Sequence, residues 1–251
     1  MYSNIQTYIS IKKLSDDFDI MLFQLSSLLL YSNIHNKLIT LPKQNNFIKN
    51  NKLFDNFDID DYHIINDTDD NFKIIPYGKN ILLSGNFETY KKLDENILNT
   101  LRNIVYNDEN YMYTAYELYN NIKKYFNDIE DNDIVSIYYD DLSDKNINYY
   151  KKSLIIMNKK NLVVFSPEND SLREIIDKDY NVYYIWHDNI YIRFILLSFF
   201  QHNIIQYSKP YYSLWASYIS KYDELKNVVI PDYILKKINR DVNNTNFIML
   251  T

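Results

Sequence analysis

The feature that most constrains this chain is the regular alternation of its second half. Short apolar runs at Ile134 to Tyr139, Leu162 to Phe165, Val182 to Ile185, Asn203 to Gln206 and Asn227 to Ile230 read as strands. Between them lie helical stretches at Ile147 to Lys159, Ser171 to Asp177, Asn189 to Gln201 and Tyr211 to Lys221. Strands separated by whole helices cannot close into hairpins, so they pair in parallel through right-handed crossovers. The expectation is an α/β layout whose ligand, if there is one, sits beyond the carboxyl ends of the strands.

The first half begins the same way. Thr7 to Lys12 reads as a strand, and Ser15-Asp16-Asp17 is placed to cap a helix from Phe18 to His35. The apolar set Ile20, Phe23, Leu25, Leu28 and Leu29 repeats near the helical period and predicts one buried face. Leu38 to Leu41 is extended again. Residues 43–75 are polar, with one strand expected at Tyr62 to Ile65. Ile81 to Leu83 is a brief strand ending at Ser84-Gly85, followed by helical patterns at Leu93 to Tyr106 and Thr114 to Phe126. The acidic run Asp128 to Asp133 reads as a linker, which divides the chain into domains 1–130 and 131–251.

Composition removes several function classes. With 2 Gly in 251 residues there is no G-x-G-x-x-G turn and no P-loop. The absence of cysteine excludes disulfides, thiolate catalysis and Cys-bound zinc. The four histidines are scattered, with no pair at metal-ligand spacing, so no metal is expected. A net charge of −6 argues against nucleic acid, which needs a basic face. No apolar run is long enough to span a bilayer, Ile190 to Phe200 included, and Met1 to Ile11 lacks the order of a signal peptide. A cytoplasmic protein without a membrane span is expected. The 26 tyrosines are spread along the whole chain, which fits codon bias better than a carbohydrate-binding surface.

Four blocks, in order, carry a resemblance. Leu22-Phe23-Gln24-Leu25-Ser26-Ser27-Leu28-Leu29-Leu30-Tyr31-Ser32 runs into Lys37-Leu38-Ile39-Thr40-Leu41-Pro42-Lys43. Leu82-Leu83-Ser84-Gly85-Asn86-Phe87-Glu88-Thr89-Tyr90 is the second block. Val135-Ser136-Ile137, Tyr149-Tyr150-Lys151-Lys152 and Val163-Val164-Phe165-Ser166 form the third. Leu196-Leu197-Ser198, His202-Asn203-Ile204-Ile205 and Tyr212-Ser213-Leu214-Trp215 form the fourth. Together they resemble α-1,2-fucosyltransferases, glycosyltransferase family 11. That resemblance implies two Rossmann-like domains facing a cleft, the GT-B arrangement, with mainly parallel sheets. It also implies an acceptor-side N-terminal domain, a C-terminal domain that holds GDP-fucose, a glycan acceptor, and neither a metal nor another cofactor.

The chain departs from the family where chemistry is expected. Aligned on the second-half strand, the family's His-x-Arg-Arg-Gly-Asp falls on Tyr138, Asp140, Asp141, Leu142 and Ser143. The family's two arginines neutralise a leaving diphosphate, whereas two aspartates repel it. Asp16-Asp17-Phe18-Asp19-Ile20-Met21-Leu22-Phe23-Gln24 stands where the family has its glycine-rich opening motif. The Phe-Ser-Asp-Asp strand end becomes Phe165-Ser166-Pro167-Glu168, and a family acidic position carries Arg193. The candidate nucleotide-sugar positions are therefore Tyr138, Asp140, Asp141, Ser143, Ser166, Glu168, Arg193 and Ser213, with no residue to nominate as catalytic. The reversed signs suggest that Arg193 pairs with Asp140 or Asp141.

Plainer readings stand beside these. Asp140 to Asp144 also reads as a solvated acidic loop, and adjacent strand-end carboxylates point in opposite directions. Trp186 and His187 either stack on a sugar or close a domain edge, and Trp215 reads as core. Two classes stay open: a transferase with a remodelled donor site for GDP-fucose or another nucleotide sugar, and an inactive relative kept as a glycan-binding or partner-binding protein. The concerted loss of arginines and glycines favours inactivity. A third reading is an unrelated doubly wound protein.

Overall fold

The computed structural model describes residues 7–41, 62–66, 79–87, 93–139, 146–167, 173, 176, 179–220, 225–237 and 245–250. The chain divides into two compact units, 1–104 and 105–251.

The first unit contains β1 (Tyr8–Ile11), α1 (Phe18–His35), β2 (Leu38–Ile39), β3 (Tyr62–Asn66), β4 (Asn80–Ser84) and α2 (Glu95–Val105). Its strands lie in the order β2-β1-β4-β3, all parallel, with Ile9 opposite both Ile39 and Ile81. Helix α1 departs from the expected single buried face, because residues 21–29 are buried without interruption. A helix that is apolar on most of its circumference is covered on most of it. Its N-cap is Asp17, whose side chain makes no capping bond; the Ser15 hydroxyl instead accepts from the Asp17 N–H at 3.1 Å. The helix ends at Asn36 in the left-handed region (φ 50), where the Asn36 N–H returns to the Ser32 carbonyl.

The second unit contains α3 (Glu109–Tyr125), β5 (Ile134–Tyr138), α4 (Ile147–Met157), β6 (Asn161–Phe165), β7 (Asn181–Ile185), α5 (Ile190–Leu197), β8 (His202–Ile204), α6 (Pro210–Ile219), β9 (Lys226–Pro231) and β10 (Thr245–Leu250). The sheet order is β10-β9-β8-β5-β6-β7, again wholly parallel. The chain winds outward from β5 to β7, then returns to the other side of β5 at β8, which makes the gap between β5 and β8 a topological switch point. On one face Val135, Ile137 and Tyr139 pack with Tyr149 and Leu154 of α4. The Tyr149 hydroxyl donates to the Ile205 carbonyl at 2.9 Å and the Val229 carbonyl at 3.1 Å, satisfying backbone beyond β8. The helix expected over 171–177 falls mostly outside the described residues. Strand β10 was not expected from the sequence.

The division falls earlier than the acidic run. Helix α3 belongs to the second unit, with the Tyr111 ring stacked 5.8 Å from Tyr191 and Tyr119 set edge-on to Phe199 and Phe200. The acidic run is a bonded turn leading into β5: Asp131 meets Lys123 at 2.7 Å and Asp133 meets Lys159 at 2.9 Å.

His202, buried at the amino end of β8, accepts at Nδ1 from the Asn227 N–H at 3.1 Å. Burial first and nearby Lys159 second hold its pKa below the ordinary 6.5, against smaller opposing pulls from the Asn132 carbonyl and Asp133. His35 is lowered in the same direction, by burial and then by Lys37. Below pH 6.5 the unfolded chain therefore binds protons that the folded chain does not, so stability falls as pH falls through that window. The melting temperature should drop from about pH 7.5 to 5.5, with a shallower slope in His202→Gln; equal slopes in both proteins would refute the assignment. No described helix is long and apolar enough to cross a membrane.

Candidate functional site

The carboxyl edge of the second sheet is where a doubly wound fold presents ligands. Strand β5 ends there in Tyr138, β6 is followed by Ser166, and β7 by Trp186. Tyr138 is 2% exposed. Its ring lies 4.5 Å from Tyr212 of α6, 6.3 Å from Phe165 and 6.4 Å from Trp186. Tyr212 is fixed in turn by its hydroxyl, which donates to the Ile190 carbonyl at 2.6 Å, and by Phe194 at 5.3 Å. The end of β5 is thus an aromatic plug continuous with α5 and α6.

Arg193 sits one turn into α5, a helix capped by Asn189, whose carboxamide oxygen accepts from the Tyr191 and Ile192 N–H groups. The arginine is 8% exposed, and its Cζ stands 3.7 Å from the centre of the Trp186 ring. Its Nε makes no hydrogen bond, and among the described residues it meets no carboxylate. Removing a guanidinium from water costs several kcal/mol. A shielded cation–π contact returns only about 2 kcal/mol, so the charge is incompletely compensated by the described protein groups.

Ser166 lies beside this pair, because its N–H donates to the Ile185 carbonyl at 3.2 Å, one residue before Trp186. Its buried hydroxyl has no partner. Ser213 is spoken for: its hydroxyl accepts from the Gln206 N–H and donates to the Pro210 carbonyl, both at 3.3 Å. That arrangement ties the end of β8 to the start of α6 and makes Ser213 a positioning group. Gln206 donates to the Ser208 hydroxyl at 3.2 Å, while its buried Oε1 accepts nothing. Of the remaining sequence candidates, Asp140, Asp141, Ser143 and Glu168 lie outside the described residues, as does the expected pairing of Arg193 with Asp140 or Asp141. The structure brings Tyr138, Ser166 and Arg193 to one edge, with Trp186 joining them.

The first unit holds a cavity of about 420 Å³ at the equivalent edge of its own sheet. Lys12, Lys13 and Ser15 follow β1, Asp16 and Asp17 precede α1, and Ser84, Gly85 and Asn86 close β4. Gly85 takes φ 136, a conformation open chiefly to glycine, so one of the chain's two glycines shapes this wall. Gln24, 4% exposed, forms the floor: Oε1 accepts from the Ser15 N–H at 2.8 Å, and Nε2 donates to the Lys13 and Gly85 carbonyls at 3.2 and 2.9 Å. No residue of this cavity was among the sequence candidates. The signal available in the sequence was the short polar turn Lys12 to Asp17 between β1 and α1, at a strand's carboxyl end, where such folds present ligands. Among the described residues no group of three or more His, Asp or Glu side chains is placed to hold a metal ion.

No protein-family model matches the chain, and no curated protein sequence matches it. Among solved structures it is similar to the Se-Met fucosyltransferase NodZ from Bradyrhizobium, with a TM-score of 0.54 and 9% identity over 85% of this chain and 92% of that one. At that identity the likeness establishes the fold alone. The fold is α/β with two wholly parallel sheets, GT-B-like as in that structure.

Proposed function

We propose that this chain is a fucosyltransferase-like glycosyltransferase homologue in which GDP-fucose transfer is lost or altered. The observation that carries the reading is the closed, aromatic end of β5. Tyr138 occupies the place of the family's histidine, buried against Tyr212 and Trp186, and the sequence continues into Asp140 and Asp141 where the family has its arginines. Transfer from a nucleotide diphosphate requires cations where the leaving group gathers negative charge. Aspartates add charge of the wrong sign. In this reading the second unit descends from a nucleotide-sugar side and the first from an acceptor side, and the chain is a cytoplasmic pseudoenzyme independent of metal.

A second reading, transfer from a remodelled nucleotide-sugar site, is favoured by one observation: Arg193 retains a buried, incompletely bonded cation at the same edge. Thermal melting separates the two. Stabilisation by a ligand follows RT ln(1 + [L]/Kd), reaching about 2.7 kcal/mol at a hundredfold excess over Kd. Millimolar GDP-fucose should leave the melting temperature unchanged, and no fucose should pass to a galactoside acceptor. A clear shift with GDP-fucose accompanied by transfer would overturn the proposal.

A further inference from the structure

We propose that the outward face of α4 is a docking surface for an anionic lipid bilayer, on which the second unit rests without crossing it. The inference goes beyond the transfer reading and does not depend on it.

The inner face of α4 is accounted for by the core: Tyr149, Tyr150, Ser153, Leu154 and Met157 are buried, and Ile248 and Leu250 of β10 pack against the same cluster. The helical period leaves Ile147, Asn148, Lys151, Lys152, Ile155 and Ile156 on the outside, and all six are exposed. A solvated helix face ordinarily carries charged and polar residues. Here three of the six are isoleucine, and the helix has no acidic residue. Ile155, 73% exposed, is the most exposed large apolar side chain among the described residues. Isoleucine is common along the whole chain, but five of the described isoleucines are exposed, and three of those share this face. Helix propensity does not explain them either, because a β-branched side chain in solvent is a mediocre helix former.

Charge selects the occupant. Residues four apart on a helix are neighbours, so Lys151 stands one turn before Ile155 and Lys152 one turn before Ile156. Lys160, just past the helix, holds its ammonium 5.1 Å over the Tyr180 ring and donates to the Asp179 carbonyl at 3.3 Å. Lys159 is neutralised by Asp133, whereas among the described residues neither Lys151 nor Lys160 meets a carboxylate. The net charge of −6 opposes an anionic surface, but charges beyond about 8 Å are screened at physiological salt, so the lysines at the contact decide. A second copy related by a two-fold axis would set lysine against lysine. A protein partner is anchored chiefly by aromatic and arginine side chains, with lysine depleted, and both tyrosines of α4 are buried. A bilayer accepts the face as it stands. Isoleucine enters the acyl boundary, while the lysine stems lie along it and keep their ammonium groups among anionic head groups.

The test is flotation of the full chain with vesicles of phosphatidylcholine alone, or with about one third phosphatidylserine, at about 0.05 M and about 0.5 M NaCl. The chain should float with the phosphatidylserine vesicles at low salt and not with phosphatidylcholine alone, and binding should fall about tenfold or more at high salt. This comparison needs no variant to fold. Ile155→Ser, which keeps the charge, and Lys151→Glu, which keeps the isoleucines, should each weaken binding about tenfold, with the fold checked by circular dichroism. Tyr113→Ala, at an exposed ring on α3, should float like the wild type. Absence of flotation with phosphatidylserine, equal flotation with both lipids, or undiminished binding by either α4 variant would overturn the proposal. Two further outcomes would also overturn it: a lipid-free dimer that Ile155→Ser dissociates in sedimentation would assign the face to a second copy, and capture by polyglutamate without flotation would assign it to an acidic protein.

Discussion

Trp215→Ala should lower the stability of the protein by about 3–5 kcal/mol, read as a shift of the urea midpoint at unchanged slope. Trp215 is 0% exposed on α6, a helix whose residues 212–219 are buried without interruption, and its ring packs 6.2 Å from Tyr218. No neighbouring helix can slide into the space an indole leaves, because both ends of α6 are anchored. At its start Ser213 bonds the Gln206 N–H and the Pro210 carbonyl, and at its end the buried Lys226 ammonium donates to the Ser217 carbonyl at 3.2 Å. The cost is a large part of the 5–15 kcal/mol that holds an ordinary domain folded. Tyr113→Ala, at a ring 68% exposed on α3, should change stability by less than about 0.5 kcal/mol. A Trp215 effect as small as the Tyr113 effect would refute the packing of α6 described above.

The same contrast between buried and exposed positions explains what could be read from the sequence. Strands β5 to β9 were legible because each is an apolar run bounded by polar residues and separated from the next by a helix, a pattern with one economical solution. Helix α1 was legible to its end residues, since the polar Ser15-Asp16-Asp17 precedes its apolar stretch and an extended pattern resumes at Leu38. Strand β10 was not legible. Its sequence Thr245–Leu250 mixes polar and apolar residues, and what makes it a strand is the open edge of β9, where Phe247 finds Val228. The allegiance of α3 was hidden for a related reason. A run of aspartates looks like a linker until Lys123 and Lys159 are seen to hold Asp131 and Asp133, and Tyr119 carries no mark of the phenylalanines it will meet. Within the site, Arg193 was singled out as a reversed charge, but its partner is an indole on a different element, and no sequence period links a strand end to the second turn of the next helix. The cavity of the first unit was not legible, because Gln24 and Gly85, which line it and are bonded to each other, stand 61 residues apart in the sequence.

Gln24 provides the second large effect. Gln24→Ala deletes three hydrogen bonds at once and leaves the Ser15 N–H and the carbonyls of Lys13 and Gly85 to find other partners. Each neutral group left unmet in a buried place costs about 1–3 kcal/mol. Water from the adjoining 420 Å³ cavity can reach some of them, so the expected total is about 3 kcal/mol rather than the simple sum. Gln24→Glu distinguishes hydrogen bonding from lost volume, because it keeps the shape and the acceptor facing Ser15 but turns the donor that serves Lys13 and Gly85 into an oxygen facing two carbonyl oxygens. Burial and those carbonyls would raise the new carboxyl's pKa above its unfolded value, so its unfavourable contribution grows as pH rises through the folded-state value and is relieved in acid, where the protonated group again donates one bond. Measured against the wild type at each pH, which removes the histidine effect common to both, Gln24→Glu should be destabilised at pH 7 and should recover part of that loss by about pH 5. A constant difference across that range would mean that the side chain at position 24 acts by filling space, and that the cavity's shape is held by the backbone of Gly85 without it.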